Sequence, residues 1–195
     1  MRLVPDIPEW TSDGVLPPIF PGESGLSFHR SPYVVEPLDV VLRYSTTAER
    51  CAILDGWLRY RQALYDAGIE TGFQWLDGSF LEDVESGQGR PPNDVDLVTF
   101  FEMPKSATQE YLFNRNPNLF DSTISKQQFQ VDAYAVPLGG PADAQLVKSI
   151  SYWYSMWSHR RRDLAWKGFV QVKLDSMKDE VASANLSLTR QELIR

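Results

Sequence analysis

A chain of 195 residues, 43% hydrophobic and 12% aromatic, holds enough apolar material for one packed domain with appended segments. Its net charge of −7 excludes a general nucleic-acid coat protein, which needs a basic face, but leaves room for a local basic groove. One cysteine and two histidines exclude an internal disulfide, a cysteine zinc cluster and a multi-histidine metal site; no apolar run approaches the ~20 residues of a membrane span, Asp6, Glu9 and the early prolines are unlike a signal peptide, and a cytoplasmic protein is expected.

Residues 1–44, with Pro17-Pro18 and Pro21-Gly22, read as an extended N-terminal arm bearing short strands near 33–35 and 40–44. Thr46-Thr-Ala-Glu49 spells a capping box. The helix after it places Cys51, Leu54, Trp57, Leu58, Leu64 and Tyr65 on one side and is expected to stop at Gly68. A strand over 73–76 follows, then an acidic stretch, 81–93, read as a helical turn and a loop. Residues 95–101 are nearly all apolar, which predicts a strand central in its sheet. Ser106-Ala-Thr-Gln109 spells a second capping box, opening a short helix to about Phe113, and 114–121 read as loop. A strand over 129–136 is expected to end at Pro137 and Gly139-Gly140. A helix from about 142 to 159 carries Leu146, Ile150, Trp153, Tyr154 and Trp157 at helical spacing, and 168–174 form a last strand. The body of the domain is thus 45–175, with a weakly amphipathic helical tail over 176–195.

Two carboxylates stand out. Asp94 and Asp96 are two apart on a strand, so they share a face. Such a pair repels itself unless a proton or cation lies between the acids, and hard ions such as Mg²⁺ are held by one or two carboxylates plus substrate phosphates. A metal site is the expectation; acids at the solvated end of a strand are the alternative. Gly78-Ser79 follows a strand, where free N–H groups and the Ser79 hydroxyl could cradle a phosphate; an ordinary turn is the alternative. Asp132, isolated in an apolar strand, is either a third metal ligand or an edge residue facing water. Three carboxylates would suit two Mg²⁺ (or Mn²⁺) ions clamping a phosphoryl transfer. Residues 77–102 hold seven acids against Arg90 alone, whereas 159–173 hold Arg160, Arg161, Arg162, Lys167 and Lys173 against Asp163. The basic stretch could meet phosphates or simply form a solvated face. Asp77 is either a fourth acid of the site or a turn-former. Cys51 and the Trp153–Trp157 pair are expected in the core, and His159 at a helix end.

A Gly-Ser turn, a spacer, an Asp-x-Asp strand and a later strand acid resemble the nucleotidyltransferase superfamily of DNA polymerase beta. Leu16-Pro17-Pro18, Trp75-Leu-Asp-Gly-Ser-Phe80, Pro92-Asn-Asp-Val-Asp96, Val131-Asp132 and the run from Trp157 through Lys167-Gly168-Phe-Val look, over residues 14–174, like a small prokaryotic family of nucleotidyltransferase-like proteins, mostly of unknown function. The resemblance implies an α/β (α+β) fold, a mixed sheet with helices packed mainly on one side. It implies Asp94, Asp96 and Asp132 as catalytic metal ligands for Mg²⁺ or Mn²⁺, Asp132 also helping to activate the acceptor hydroxyl. Gly78 and Ser79 would sit at the triphosphate of an NTP substrate. The implied reaction moves an NMP to a hydroxyl on a protein or RNA, in a toxin–antitoxin or phage-defence setting with a cognate partner protein. One departure matters: fourteen residues separate Ser79 from Asp94, and this insert brings Glu82, Asp83 and Glu85 close to where phosphate would lie. It opposes a triphosphate unless metal or Arg90 offsets it. The alternative is therefore a catalytically inactive interaction protein on the same fold, an antitoxin or defence-complex subunit. A plain nucleic-acid-binding module using 159–173 is a third reading.

Overall fold

The computed structural model describes residues 7–105, 107–140 and 144–193. Its centre is an open, mixed five-stranded sheet in the order β1-β5-β2-β3-β4, formed by β1 (Tyr33–Val35), β2 (Gly72–Asp77), β3 (Val95–Glu102), β4 (Val131–Leu138) and β5 (Val170–Lys173). The outer pairs β1–β5 and β3–β4 are parallel, and the inner pairs β5–β2 and β2–β3 are antiparallel. β3 has a neighbour on each side, as its apolar run requires. β4 is an edge strand, which is why it passes through Pro137 to Leu138 instead of ending there: proline lacks only the outward N–H that an edge can spare.

Helices pack on this sheet. α1 (Pro37–Tyr44) and α2 (Ala48–Asp66) precede β2; α3 (Val84–Gln88) lies between β2 and β3; α4 (Gln109–Arg115), α5 (Pro117–Phe120) and α6 (Ser122–Phe129) form the crossover to the parallel strand β4; α7 (Ala144–Trp157) leads toward β5; and α8 (Ser176–Leu193) closes the chain. α2 buries Ile53, Leu54, Trp57 and Leu64 against a core that includes Leu76, Leu97, Val98, Phe101 and Val172. It ends as its sequence predicts. Gly68 takes φ +84°, its N–H donates to Tyr65, and the Ile69 N–H donates to Leu64, the pairing that satisfies the last carbonyls of a helix. Cys51, Trp153 and Trp157 are buried.

Four local expectations need correction. Residues 40–44 are helical, not a strand: Pro37 stands at the first turn, and Glu36 and Asp39 exchange backbone hydrogen bonds in a capping box, so this start signal overrides the strand-like valines. Thr47, not Thr46, caps α2, accepting from the Arg50 N–H. Thr108 caps α4; Ser106 lies outside the described residues. Residues 117–120 are helical, not loop, and lead into α6. The tail is a single helix, α8.

Two arginines on α2 tie the fold together from inside. Arg61 donates to Asp179 of α8 at 2.8 Å, to Gln74 of β2 at 3.0 Å and to the Lys173 carbonyl of β5 at 2.7 Å. Arg50 pairs with Glu85 at 2.5 and 2.8 Å and donates to the carbonyls of Phe80 and Glu82, both at 2.7 Å. Both are wholly buried, and a buried guanidinium persists only when its donors are satisfied. The second clamp fixes the segment that follows β2, where the candidate site begins.

Candidate functional site

The sheet register brings the acids together. Asp77 at the end of β2 is the cross-strand partner of Asp96 on β3, and Asp96 is in turn the partner of Asp132 on β4. Three adjacent strands therefore present a carboxylate at one level, and Asp94 precedes β3 by one residue. Asp94, Asp96, Asp132, Gly78 and Ser79 all line one cavity of about 370 Å³. The same cavity is lined by the segment after α7: His159, Arg160, Arg161 and Arg162. Parts of the acidic and basic stretches of the sequence thus meet in one cleft.

Gly78 shapes this cleft. It turns the chain at φ +82°, a backbone state that side chains disfavour, and a Cβ there would lie 1.8 Å from Asp96 Oδ2. Only glycine lets the turn pass this close to the carboxylate. Ser79–Leu81 then form a single 3₁₀ turn.

The charges are not evenly compensated. Burial, with the like charges of Asp77, Asp94 and Asp132, pushes the Asp96 carboxyl up to about 7, while Arg161 pulls the other way. Burial likewise raises Asp77, although Lys167 beside it works against the shift. Lys167 is buried between Asp77 and Glu82, 2.9 Å from each. Burial alone would lower its ammonium pKa, but the two acids outweigh that and hold it raised. Asp94 is 2.5 Å from Nζ of Lys126, a half-exposed residue of α6, and that ammonium is also 3.9 Å from Asp132. Asp132 Oδ1 is buried with no hydrogen-bond partner among the described residues.

The acidic insert is partly compensated within the fold. Glu82 is paired with Lys167. Glu85 is held below the usual carboxylate range chiefly by its hydrogen bonds from Arg50. Asp83 caps α3 through the Ser86 N–H. Arg90, the expected offset, is exposed, lines the same cavity and, among the described residues, donates to Gln88 and to the Pro91 carbonyl. Conversely, Lys167 is committed to Asp77 and Glu82 and is not free to meet a phosphate. Arg160 is bound to Asp163 at 2.6 Å and also donates to the Asp13 carbonyl. Arg161 is exposed and makes no salt bridge among the described residues, and like Arg90 it lines the cleft, so both are placed to meet an anion there.

Among the described residues, no group of three or more His, Cys, Asp or Glu side chains is disposed to hold a metal as it stands. The chemistry nonetheless fits a hard divalent cation: every candidate ligand is a carboxylate oxygen, Asp132 has a buried oxygen to spare, and an ammonium already sits against Asp94. Lys126 is the member of the site that the sequence does not signal: it lies in the last turn of α6, a helix with too few apolar residues to show periodicity. Lys167 and Glu82 are expected near a phosphate from the sequence, but nothing in their spacing reveals that they meet. No helix of the described residues is long and apolar enough to cross a membrane.

Residues 8–173 match the model of a family described as a family of unknown function (DUF6932). A search of curated proteins and a search of solved structures each return no match to the chain.

Proposed function

The chain belongs to that family, whose description carries no chemistry, and from the site itself we propose a divalent-metal-dependent nucleotidyltransferase that moves an NMP from an NTP to a hydroxyl. The observation that carries this reading is the register of Asp96 and Asp132 on adjacent parallel strands, with Asp94 beside them and the Gly78-Ser79 turn in the same cavity. Asp94, Asp96 and Asp132 would hold Mg²⁺ or Mn²⁺, which would neutralise the triphosphate and polarise the reacting phosphorus. Gly78 lets the turn approach the β- and γ-phosphates closely, and Ser79 offers its hydroxyl to them. Arg161 and Arg90 line the same space. Asp132 takes the proton of the acceptor hydroxyl as its oxygen bonds to the α-phosphorus and the bond to pyrophosphate breaks. The acceptor is a protein side chain or an RNA end. A cytoplasmic setting belongs to the same proposal, since NTPs are there.

A second reading is favoured by Lys126. An internal ammonium at 2.5 Å from Asp94 satisfies a carboxylate that an active site would keep for metal. In that reading the chain is an inactive interaction protein on the same fold, acting with a cognate partner in a toxin–antitoxin or defence pair. Incubating the protein and a host lysate with each α-labelled NTP, with Mg²⁺ or Mn²⁺, separates the two. Label on protein or RNA with wild type but not with Asp94→Asn supports transfer. No label from a folded protein with any nucleotide turns the choice to the interaction protein.

A further inference from the structure

We infer that Lys126 is the resident counter-cation of the carboxylate cluster, and that a divalent ion enters the site only by displacing its ammonium. The inference rests on the metal-binding reading proposed above and goes beyond it in naming what competes with the metal.

Three observations carry it. First, the Lys126 ammonium lies 2.5 Å from Asp94 and 3.9 Å from Asp132, two of the three proposed ligands, from different strands. Second, Lys126 lines the same cavity as Asp94, Asp96 and Asp132. Third, Lys126 is built to leave. Its side chain is 51% exposed, whereas the Asp94 side chain is 11% exposed. Its helix is anchored without it: Asp121 accepts from the N–H groups of Thr123 and Ile124, and Ser125 is buried with its hydroxyl bonded to Val131. A lysine on a flexible stem can swing into solvent at the cost of one ion pair, and an exposed ammonium is well hydrated there. The other lysine of the cleft is the opposite case, since Lys167 is buried between two acids and cannot be released without stranding them. The two ammonium groups therefore divide the work: Lys167 is committed to Asp77 and Glu82, and Lys126 offsets part of the charge of Asp94 and Asp132 and can be exchanged for another cation. A divalent ion brings twice the charge and takes several oxygens at once, but it must overcome the resident pair. The cleft is then selective against weak or monovalent cations, and the metal arrives best with a triphosphate whose charge also draws Arg161.

The test is direct Mn²⁺ binding to the nucleotide-free protein, followed by electron paramagnetic resonance and by calorimetry, for wild type, Lys126→Gln and Lys126→Arg. Far-UV circular dichroism confirms that each is folded. Lys126→Gln is expected to bind Mn²⁺ at least about tenfold more tightly than wild type, because it removes both the competing pair and a positive charge beside the ion. Lys126→Arg, which keeps the charge, is expected to stay near wild type. Adding Asp96→Asn to Lys126→Gln is expected to abolish the gain, which locates the ion in this cleft. Equal Mn²⁺ affinity in wild type and Lys126→Gln would overturn the displacement while leaving the metal site standing. Weaker binding in Lys126→Gln would overturn it too, making the lysine a helper of the metal. No Mn²⁺ binding to either protein would remove the displacement together with the metal reading.

Discussion

At the residue scale, Asp96 is the side chain on which the site turns. Its carboxyl, ordinarily near 3.8, is pushed up to about 7 by burial and by the charges of Asp77, Asp94 and Asp132. A folded state that holds a proton more tightly than the unfolded chain is most favoured at low pH. The stability contributed by protonated Asp96 is therefore present below about pH 4 and is lost as pH rises through about 7. Asn cannot ionise, so Asp96→Asn is expected to match wild type near pH 4 and to exceed it at pH 8 by about 1–3 kcal/mol in urea unfolding without metal. Identical pH profiles for the two proteins would contradict this. Gly78 permits an equally specific expectation. An added Cβ would lie 1.8 Å from Asp96 Oδ2 and the Gly78 φ is positive, so Gly78→Ala should lose about 1–3 kcal/mol and displace the Asp96 carboxylate even if the fold survives. The acids and the Gly-Ser turn were legible in the sequence because their spacing on strands fixes their faces. What decided their charge state was not. Lys167 lies 90 residues from Asp77 in sequence, and only the β2–β5 pairing brings them together.

At the element scale, the site depends on helices that do little chemistry themselves. Lys167 precedes β5 and bridges Asp77 and Glu82 in a buried position. Lys167→Met should leave both acids without a partner and cost about 3–5 kcal/mol by denaturant unfolding. A loss below about 1 kcal/mol would show that water reaches them, contrary to the burial described. α6 is pinned by the Asp121 cap, so Asp121→Ala should cost about 1 kcal/mol and loosen Lys126 from Asp94, read as faster amide exchange over 122–129. α6 was invisible to periodicity since Ile124 and Phe129 are its only large apolar residues. α1 failed for the opposite reason: Val40, Val41, Leu42 and Tyr44 suit a strand, and the decisive signal was the capping pair Glu36 and Asp39 ahead of them. α2 was read correctly because its apolar residues recur over 19 residues and its end is marked by glycine. Its two buried arginines interrupt that pattern and could not be anticipated from it.

At the scale of the whole molecule, an open mixed sheet holds a cleft lined by Asp94, Asp96 and Asp132 and by the Arg160–Arg162 segment, and buried ion pairs join distant parts of the chain. Arg61 on α2 meets Asp179 on α8, beyond the residues that the family model matches. Asp179→Ala should cost about 3–5 kcal/mol, by leaving a buried guanidinium short of its partner, although Asp179 is remote in sequence from every candidate ligand. The mixed α/β class was legible from the order of apolar runs. The register that sets Asp96 against Asp132, and so makes three separate acids one site, belongs to the assembled sheet. The central claim is that this site transfers a nucleotidyl group, and parallel reactions with α-labelled and γ-labelled NTP test it most directly, using wild type and Asp96→Asn with Mg²⁺. The account predicts that the α label becomes attached to an acceptor while the γ label leaves as pyrophosphate, and that Asp96→Asn does neither. Attachment of the γ label, release of γ-phosphate without α transfer, or equal labelling by Asp96→Asn would contradict it.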